Sequence, residues 1–516
     1  MKKQLFLLFA CFAFGFTQAQ DVTDALRYAQ DNLNGTGRFR AMGGAFGALG
    51  GDMSAINANP AGSAIFANNQ VSATLSNYNT RNNSNYFKNK TTKKNNSFDL
   101  NQAGGVFVFK NNDPKSNWKK ISLAVNYENT NNLKNRLFSA GTNPNNSIDQ
   151  YFLFYANRDG GISSINLELQ NGETDTELYD YLGLNEGFGA QQAFLGYFGQ
   201  GYVINKASDY NEATNRNYVS LVPEGGNYFQ ENEITSTGYN GKLSFNAAIS
   251  YQDKLYLGIN LNAHFTDYRQ LSSFYEDNNA PLTSEYTVSR LRFENELYTY
   301  GNGVSFQLGA IVKATKEIRL GLAYESPTYY NLNDELSQRL LVVSENTFGE
   351  LPTDVVEPQF PNFYAPYKLQ TPGKITGSFA YIFGKTGLIS IDYAIKDYSN
   401  TQFKPKNEFT SVNTTMANSL FQTGELRLGG EYKIKQWSLR GGYRFEQSPY
   451  KNKTTLGDLR GYSGGLGYNF GSTKLDLSYS TSKRESQQSF FSQGFTDSAK
   501  INTINNNVSL TLLFEL

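Results

Sequence analysis

The stretch LSFNAAISYQDKLYLGINLNAHF, residues 243–265, decides the fold of this chain. On either side of residues 252–254, apolar side chains take every second position, and mostly small or polar ones lie between them. A period of two is typical of a β-strand with one apolar face, and so short a connection predicts a hairpin. The apolar positions are Leu243, Phe245, Ala247, Ile249 and Tyr251, followed by Leu255, Leu257, Ile259, Leu261, Ala263 and Phe265.

Further strands of the same kind follow along the chain. Many run to about ten residues, which exceeds the roughly five or six of a typical soluble strand and suits a tilted strand that crosses a bilayer. The last strand is apolar at every second position from Val508 to Leu516, as expected of a strand that closes a barrel. The others include Ile318–Tyr324, Ile389–Ile395, Leu426–Tyr432, Trp437–Tyr443 and Leu475–Tyr479.

The connections between these strands alternate between short and long. Short turns on one rim and long loops on the other favour an outer-membrane barrel over a soluble sandwich. With Arg292–Lys313 taken as one strand, the pattern predicts an all-β fold, an antiparallel transmembrane β-barrel of about 14 strands. Short connections lie near Asn111–Ser116, Gln252–Lys254, Thr315–Lys316, Gly384–Lys385, Ile434–Gln436 and Gly471–Ser472, and long ones near Thr80–Asn96, Ser139–Ile234, Ser272–Glu285, Tyr329–Tyr367, Gln402–Ala417, Ser448–Asp458 and Lys483–Asn502.

The N-terminus predicts export. Lys2 and Lys3 precede an apolar run, and Thr17-Gln18-Ala19 fits a cleavage site, so residues 1–20 are interpreted as a signal peptide. After residue 20 no apolar run approaches the roughly 18 residues of a spanning helix. Export without such a helix fits insertion of the strands into the outer membrane of a Gram-negative cell.

The composition excludes several classes of function. The 46 basic and 46 acidic residues cancel, which gives no reason to expect nucleic-acid binding. Cys11 is the only cysteine and His264 the only histidine, so a zinc or haem site is not expected, and a Ser-His catalytic pair would have to use His264. We therefore expect no enzyme, no metal and no cofactor.

A glycine-rich segment, Gly43 to Gly51, follows the predicted signal peptide and leads to Asn59-Pro60-Ala61-Gly62. So many glycines are unfavourable for both helix and strand, but they allow a compact segment to pack closely against a wall. We interpret residues 21–68 as a hatch that plugs the lumen of a barrel formed by residues 69–516. Proline stiffens the turn at Asn59, Pro60, Ala61 and Gly62, which we expect to act as the gate.

The longest loop, residues 139–234, is expected to be extracellular and partly helical. It is rich in apolar side chains, which either pack together as a cap or bind an apolar ligand, and the residues alone leave both readings open. On the lumen side, Arg427, Arg440 and Arg444 are candidates for contact with a polar head group, although such charges also pair across strands. The candidate ligand-binding residues of the loop are Phe152, Phe154, Leu182, Phe188, Phe194 and Phe198.

Several stretches carry a family resemblance. They are residues 42–62, with the Asn-Pro-Ala motif, IRLGLAYESP at 318–327, and two C-terminal strands at 439–449 and 462–468. Together they resemble the FadL family (OmpP1/FadL/TodX-type) of outer-membrane transporters for long-chain fatty acids and hydrocarbons. The resemblance covers most of the mature chain.

The resemblance implies a 14-stranded barrel with an N-terminal hatch and passive uptake of a hydrophobic small molecule or lipid, such as a long-chain fatty acid. Outer loops would capture this ligand, and a hatch movement would open a path through the wall into the lipid of the outer membrane. Related barrels with a similar hatch serve as accessory subunits of protein secretion or assembly complexes, especially in the Bacteroidetes, whose style this sequence resembles. That role, with other outer-membrane proteins as partners, is the alternative function.

Overall fold

A computed structural model describes residues 20–198, 202–359 and 361–516 of the chain. All but the last residue of the predicted signal peptide, residues 1–19, lie outside the described residues. Among the described residues, no helix is both long and apolar enough to cross a membrane.

Fourteen antiparallel strands form one closed barrel, which confirms the predicted fold class. The first strand pairs with the last from Gln70↔Glu515 to Asn85↔Lys500, and this ladder closes the sheet. The strands are β1 Gln70–Tyr86, β2 Asn89–Lys110, β3 Trp118–Asn132 with Asn135–Asn143, β4 Tyr228–Tyr251, β5 Leu255–Asn278, β6 Thr287–Lys313, β7 Ile318–Glu325 with Tyr329–Asn346, β8 Tyr367–Gln370 with Lys374–Phe383, β9 Gly387–Asp397, β10 Gln422–Ile434, β11 Trp437–Glu446, β12 Leu456–Asn469, β13 Thr473–Ser489 and β14 Ser498–Glu515.

The alternation seen in the sequence sorts side chains between the two faces of the wall. Phe245 and Leu261 are 50% and 60% exposed on the outer face, whereas Ser244 and Asn246, on either side of Phe245 in the chain, are buried in the lumen. An apolar outer band with a polar interior is the arrangement that a bilayer requires of a barrel.

Several expected loop segments are strands in the structure. The connection expected near Thr80–Asn96 is a continuous hairpin, with β1 and β2 paired as far as Tyr86↔Asn89. Likewise, β7 continues to Asn346 and β13 to Ser489, within segments expected to be loops. These extensions carry many polar residues, because beyond the apolar band the ladder needs only backbone hydrogen bonds and both faces can be polar.

Three strands are interrupted. β3 breaks at residues 133–134, β7 at Ser326-Pro327-Thr328 and the neighbouring β8 at Thr371-Pro372-Gly373. The two prolines have no N–H to give to the ladder, and at this point a Thr328 N–H donates to the Thr371 hydroxyl instead.

The hatch (residues 21–68) lies inside the lumen and is built of short elements. Its first helix, Val22–Ala29, packs Leu26 and Tyr28 against Tyr330 and Leu332 of β7, and the side chains of Met42 and Phe46 are fully buried. The elements are α1 Val22–Ala29, α2 Gly37–Ala41, α3 Ala55–Ala58 and a 3-10 helix at Pro60–Ile65.

A second group of helices lies between β3 and β4, in the connection expected to be partly helical. Two of these helices cover apolar side chains near residues 179–182 and 194–197. The helices are α4 Asp149–Ala156, α5 Ser164–Leu167, α6 Asp175–Asn185 and α7 Phe188–Tyr197, and a further helix, α8 Thr410–Ser419, lies between β9 and β10. Outside the hatch, 3-10 turns occur at Arg158–Gly160 and Tyr398–Asn400, and short strands at Ile204–Lys206, Tyr218–Ser220, Gly349–Glu350, Asp354–Val356, Asn362–Phe363 and Gln402–Lys404.

Candidate functional site in the hatch, lumen and wall

The first half of the hatch is a capped helix followed by a tight turn against the wall. Thr36 begins α2 by accepting a hydrogen bond from the Phe39 N–H through its hydroxyl. The turn that follows has φ +63° at Gly43, and a Cβ there would lie 2.9 Å from the carbonyl oxygen of Tyr443 in β11. Glycine is therefore required here both by the backbone conformation and by the close approach to the wall.

The gate candidates Asn59, Pro60, Ala61 and Gly62 lie where the second half of the hatch meets the wall. The Asn59 amide donates to the carbonyl oxygen of Gly47 at 2.8 Å and to that of Ala310 in β6 at 3.0 Å. Its own oxygen accepts from the Ala61 N–H at 3.1 Å and starts the 3-10 helix. One buried side chain thus joins two parts of the hatch to the barrel.

The wall is shaped to receive this residue. A Cβ at Gly309 in β6 would lie 2.0 Å from the Asn59 side-chain oxygen and 2.8 Å from the ring of Pro60. In addition, the Asn246 amide of β4 donates to the Pro60 carbonyl oxygen at 2.9 Å. Hatch and wall are therefore in direct contact at this point, with no room for an intervening layer.

Ion pairs link the other side of the hatch to strands β10 to β13. Arg38 of α2 donates to the Glu431 carboxylate at 2.8 Å, and Arg440 of β11 donates to the same carboxylate at 2.7 Å. Arg440 also pairs with Asp476 of β13. The Arg38 guanidinium is thus tied to a carboxylate on the wall that already has a cation partner.

The three arginines predicted as head-group contacts all face the lumen. Arg427 pairs with Glu425, and Arg444 pairs with Glu425 at 3.3 Å and with Glu446. Each of the three, Arg440 included, has a carboxylate partner on a neighbouring position or strand. Their arrangement is that of a charge ladder that joins strands and supports the hatch.

Asp31 of the hatch lies between lysines of two strands. Its carboxylate is 3.2 Å from the Lys374 ammonium and 3.5 Å from that of Lys396. Burial alone would raise its pKa, but Lys396 and then Lys374 outweigh this effect and hold the pKa of Asp31 well below its usual range. The hatch therefore presents a stable negative charge to this part of the wall.

The aromatic residues of the outer connection mostly pack against each other. The Phe152 ring lies 5.4 Å from that of Phe293 in β6, and Phe194 lies 5.1 Å from Phe198. Phe152, Phe194 and Leu182 are fully buried, Phe188 and Phe198 are partly buried, and Phe154 is 38% exposed. In this conformation five of the six predicted ligand residues of the loop lie in or against the core of a cap over the barrel, and Phe154 lies outside that core.

His264 faces the lumen, as its place in the alternation predicted. Its ring contacts the Ser305 hydroxyl at 2.8 Å and the Tyr330 hydroxyl at 3.4 Å, and the side chain is buried. No group of three His, Cys, Asp and Glu side chains placed to hold a metal occurs among the residues that the structure describes.

A cavity of about 300 Å³ lies between the hatch and the wall. It is bounded by the hatch near Arg27 and Leu33, by the interruption of β3 at residues 132–135, and by strands β1, β12, β13 and β14. Most of the lining is hydroxyl and amide groups, with Tyr78, Tyr268 and Tyr462 as its aromatic members on β1, β5 and β12. The cavity was not foreseen from the sequence, because its walls come from strands far apart along the chain.

The barrel wall beside this cavity lacks a continuous ladder. Backbone pairing between β2 and β3 is described only from Gln102↔Glu128 to Lys110↔Lys120. Above it, residues 89–101 and 129–143 face each other without paired strand registers, and we call this region the β2–β3 seam. Side chains bridge it instead: the Asn89 amide donates to the Ala140 carbonyl oxygen at 2.8 Å, and that of Asn95 donates to the Lys134 carbonyl oxygen at 3.1 Å.

The asparagine and threonine side chains on the two sides of the seam have a structural role. Thr91 donates to the Phe138 carbonyl oxygen, and Asn132 donates to the Asp99 carboxylate at 3.2 Å. A seam held by side chains opens at a smaller cost than a backbone ladder, because the polar side chains can turn and bind water or other partners when the strands separate.

A closed barrel with a plugged lumen, a cavity beside the plug and a weakened seam in its wall is the architecture of an outer-membrane transport channel. The chain belongs to the outer membrane protein transport protein family (OMPP1/FadL/TodX), whose family model matches residues 213–509. The resemblance drawn from the sequence is therefore confirmed, and the family comprises barrels that transport hydrophobic compounds across the outer membrane of Gram-negative bacteria. The model of an uncharacterised protein family (UPF0164) matches residues 10–82.

Two solved structures resemble the whole barrel. A FadL homologue of Pseudomonas aeruginosa is 13% identical with a TM-score of 0.50, over 94% of this chain and 99% of that one. The deltaS2 mutant of the TodX monoaromatic hydrocarbon channel is 12% identical with a TM-score of 0.50, over 94% and 100%. At this identity the likeness demonstrates a common fold. Among curated proteins, none matches the chain.

Proposed function

We propose that this protein takes up long-chain fatty acids or similar hydrophobic molecules passively and releases them through the β2–β3 seam into the outer membrane. The observation that carries the proposal is the seam itself, which borders the cavity beside the hatch. The cavity is lined by residues 132–135, at the interruption of β3, so a ligand in it is already in contact with the interrupted strand. The family match favours this role over that of an accessory subunit of a secretion or assembly complex.

In this proposal each part of the chain has a task. Residues 1–20 direct export and are cleaved, residues 21–68 form the hatch, and residues 69–516 form the barrel. Asn59 to Gly62 hold the hatch shut through their contacts with β4 and β6. The cap formed by residues 139–234 receives the ligand, and Arg427, Arg440 and Arg444 keep the hatch region of the wall rigid through their ion pairs.

The seam is tested by closing it covalently. Because Cys11 is the only native cysteine, a Thr91→Cys, Phe138→Cys variant carries one reactive pair, which a short cleavable bis-maleimide joins across the seam. We expect uptake of radiolabelled oleate by cells that depend on this barrel to fall to background after cross-linking and to recover after the linker is cleaved.

The matched control joins two strands whose ladder is intact. Tyr479 of β13 lies opposite Val508 of β14, and both side chains point outward. A Tyr479→Cys, Val508→Cys barrel joined by the same linker should transport as before. If the seam-linked barrel transports oleate as fast as this control, the ligand does not leave between β2 and β3, and the proposed route is wrong.

A further inference from the structure

On one side of the barrel, the outward surface is basic just beyond the apolar band, toward the cap. The exposed aromatic residues Phe98 of β2, Tyr462 of β12 and Tyr479 of β13 mark the end of that band on their strands. Farther toward the cap, outward positions carry exposed lysine and arginine side chains, and we call this surface the basic face. Its members are Arg81, Lys90, Lys94, Arg460, Lys483 and Lys500.

The strand registers place these side chains in two rows across the wall. Neighbouring strands are about 4.8 Å apart, so a row that crosses five strands spans about 19 Å. The second row lies nearer the tip of the β1–β2 hairpin than the first. In the first row each residue lies opposite the next, in the order Arg460, Lys483, Ile504, Arg81 and Lys94. In the second row the order is Lys500, Asn85 and Lys90.

Few carboxylates balance the basic face. Among the residues that the structure describes, Lys483 is its one member in an ion pair, with Glu485 at 3.0 Å, and both side chains of that pair are more than half exposed. So exposed a pair contributes little. Arg81 lies directly opposite Lys94, and like charges in this position destabilise a ladder. An anion that contacts both side chains replaces this repulsion by attraction.

Elsewhere on the barrel, the charges beyond the apolar band are balanced. On the outward surface of β5 and β6, Arg269 lies 3.9 Å from the carboxylate of Glu296. On the next strand, Arg339 lies 3.7 Å from that of Glu294. A general need for charged side chains outside the bilayer would give this mixed pattern on every strand. The basic face is therefore a local feature of β12, β13, β14, β1 and β2.

A polar pocket adjoins the basic face on the side of the cap. Phe87 directly follows β1, Ser498 lies two residues from Lys500 on β14, and both line this open pocket of about 280 Å³. The amide of Asn146 and the carboxylate of Asp497 contribute to the same lining. Hydrogen-bonding groups beside an aromatic ring suit a sugar, because its hydroxyls form hydrogen bonds while its apolar C–H face packs on the ring.

We propose that the basic face binds the phosphorylated head group of a glycolipid in the outer leaflet of the membrane, with phosphates on the two rows and a sugar in the polar pocket. The rows begin where the apolar band ends, which is the depth of lipid head groups. Guanidinium and ammonium groups are the side chains that bind phosphate best. A phospholipid without sugars has no group for the pocket, and for this reason we assign a glycolipid.

This lipid is a bound neighbour of the wall and is distinct from the molecule that passes through the lumen. The inference therefore goes beyond the proposed transport function and does not depend on it. Because the basic face lies outside the lumen, changes to it should leave oleate uptake at the native rate.

The test measures lipid binding to the full-length barrel by native mass spectrometry in a neutral detergent. The probes are a bisphosphorylated lipid A with two core sugars, the same glycolipid without its phosphates, and phosphatidylglycerol. We expect the phosphorylated glycolipid to bind on the order of 100-fold more tightly than the dephosphorylated one, because each basic residue near a charged lipid contributes about a factor of five and at least three are in reach. Phosphatidylglycerol, with one phosphate, should bind more weakly than the phosphorylated glycolipid.

Variants with matched charge changes then locate the site. A triple variant of the first row should bind the phosphorylated glycolipid on the order of 100-fold more weakly than the native barrel. The control removes three outward arginines from β5 to β7 and should bind as the native barrel does. Heat-modifiable migration in gels verifies that each barrel is folded. The first-row changes are Arg81→Gln, Lys94→Gln and Lys483→Gln, and the control changes are Arg269→Gln, Arg292→Gln and Arg339→Gln.

A further variant tests the pocket. Phe87→Ala should weaken binding of the phosphorylated glycolipid with core sugars about threefold to tenfold, as the loss of one aromatic contact predicts, and should leave phosphatidylglycerol binding unchanged. Equal weakening of both lipids would mean that Phe87 does not contact a sugar, and the sugar assignment would be wrong.

The remaining outcomes decide between occupants. If the first-row variant binds the phosphorylated glycolipid as tightly as the control variant does, the basic face is not the site. Equal affinity for phosphatidylglycerol and the phosphorylated glycolipid overturns the glycolipid in favour of any anionic lipid. Loss of glycolipid binding in the first-row variant, with native binding in the control and native oleate uptake, supports the inference.

Discussion

The contact between Asn59 and Gly309 predicts that a single methyl group on the wall loosens the hatch. In a Gly309→Ala variant the added Cβ would lie 2.0 Å from the Asn59 side-chain oxygen, where ordinary contacts begin at 3.4 Å. Asn59 must therefore retreat by more than an ångström, because Gly309 of β6 is held in backbone ladders on both sides, opposite Gly258 and Ala323.

The free-energy cost of this displacement follows from the hydrogen bonds that it breaks. The Asn59 amide would lose its donations to the carbonyl oxygens of Gly47 and Ala310, now 2.8 and 3.0 Å long. Two such bonds, with buried acceptors left unpaired, cost about 2–4 kcal/mol. At about 1.4 kcal/mol per tenfold, the population of the undocked hatch rises roughly 30- to 700-fold.

Hydrogen exchange measured by mass spectrometry reports this population directly. Peptides that cover residues 43–66 should exchange faster by the same factor in Gly309→Ala, while peptides from β10 to β14 should keep their native protection. The control is Gly441→Ala, because a Cβ at Gly441 meets nothing within 4 Å. If the hatch peptides exchange at the same rate in Gly309→Ala as in Gly441→Ala, Asn59 is not in direct contact with Gly309 and the reasoning is refuted.

Further predictions concern the ion pairs and the outer cap. Replacing Glu431 by Gln leaves the guanidinium groups of Arg38 and Arg440 without their shared carboxylate, and we expect a loss of about 3–5 kcal/mol, seen as a lower temperature for the heat-modifiable gel transition. An unchanged transition would mean that the lumen hydrates these arginines. Phe152→Ala removes a fully buried ring from the cap and should cost about 3–5 kcal/mol there, detected as faster proteolysis between residues 144 and 227. Phe154→Ala, at a partly exposed position of the same helix, should leave the proteolysis rate close to native, and equal effects of the two changes would contradict the packed cap.

The barrel could be predicted from the sequence because its signal is local. Each strand shows its alternation within about ten residues, and the side of the wall for residues such as Phe245 or His264 follows from counting by two. The hatch was also foreseeable, since a run of glycines ending in Asn59-Pro60 is unusual ahead of a series of strands. The family resemblance used these same stretches.

The loop boundaries predicted from the sequence were less accurate, because the local sequence pattern does not reveal every strand. Polar stretches such as Thr80–Asn96 lack an apolar face, so alternation cannot detect them as strands. Their ladder depends on backbone hydrogen bonds, which any residue with an N–H and a carbonyl can make.

By itself, the sequence determined the strand pattern, the export signal that we predict, the position of the hatch and the polarity of the lumen. Only the tertiary structure decided which lumen groups meet: Arg38 finds Glu431 and Arg40 finds Ser480, although hundreds of residues separate each pair. It also revealed the β2–β3 seam and the cavity whose lining has basic but no acidic residues. The physical reason is that alternation sets only the face of a side chain, whereas its neighbours across the lumen depend on the register and stagger of all fourteen strands.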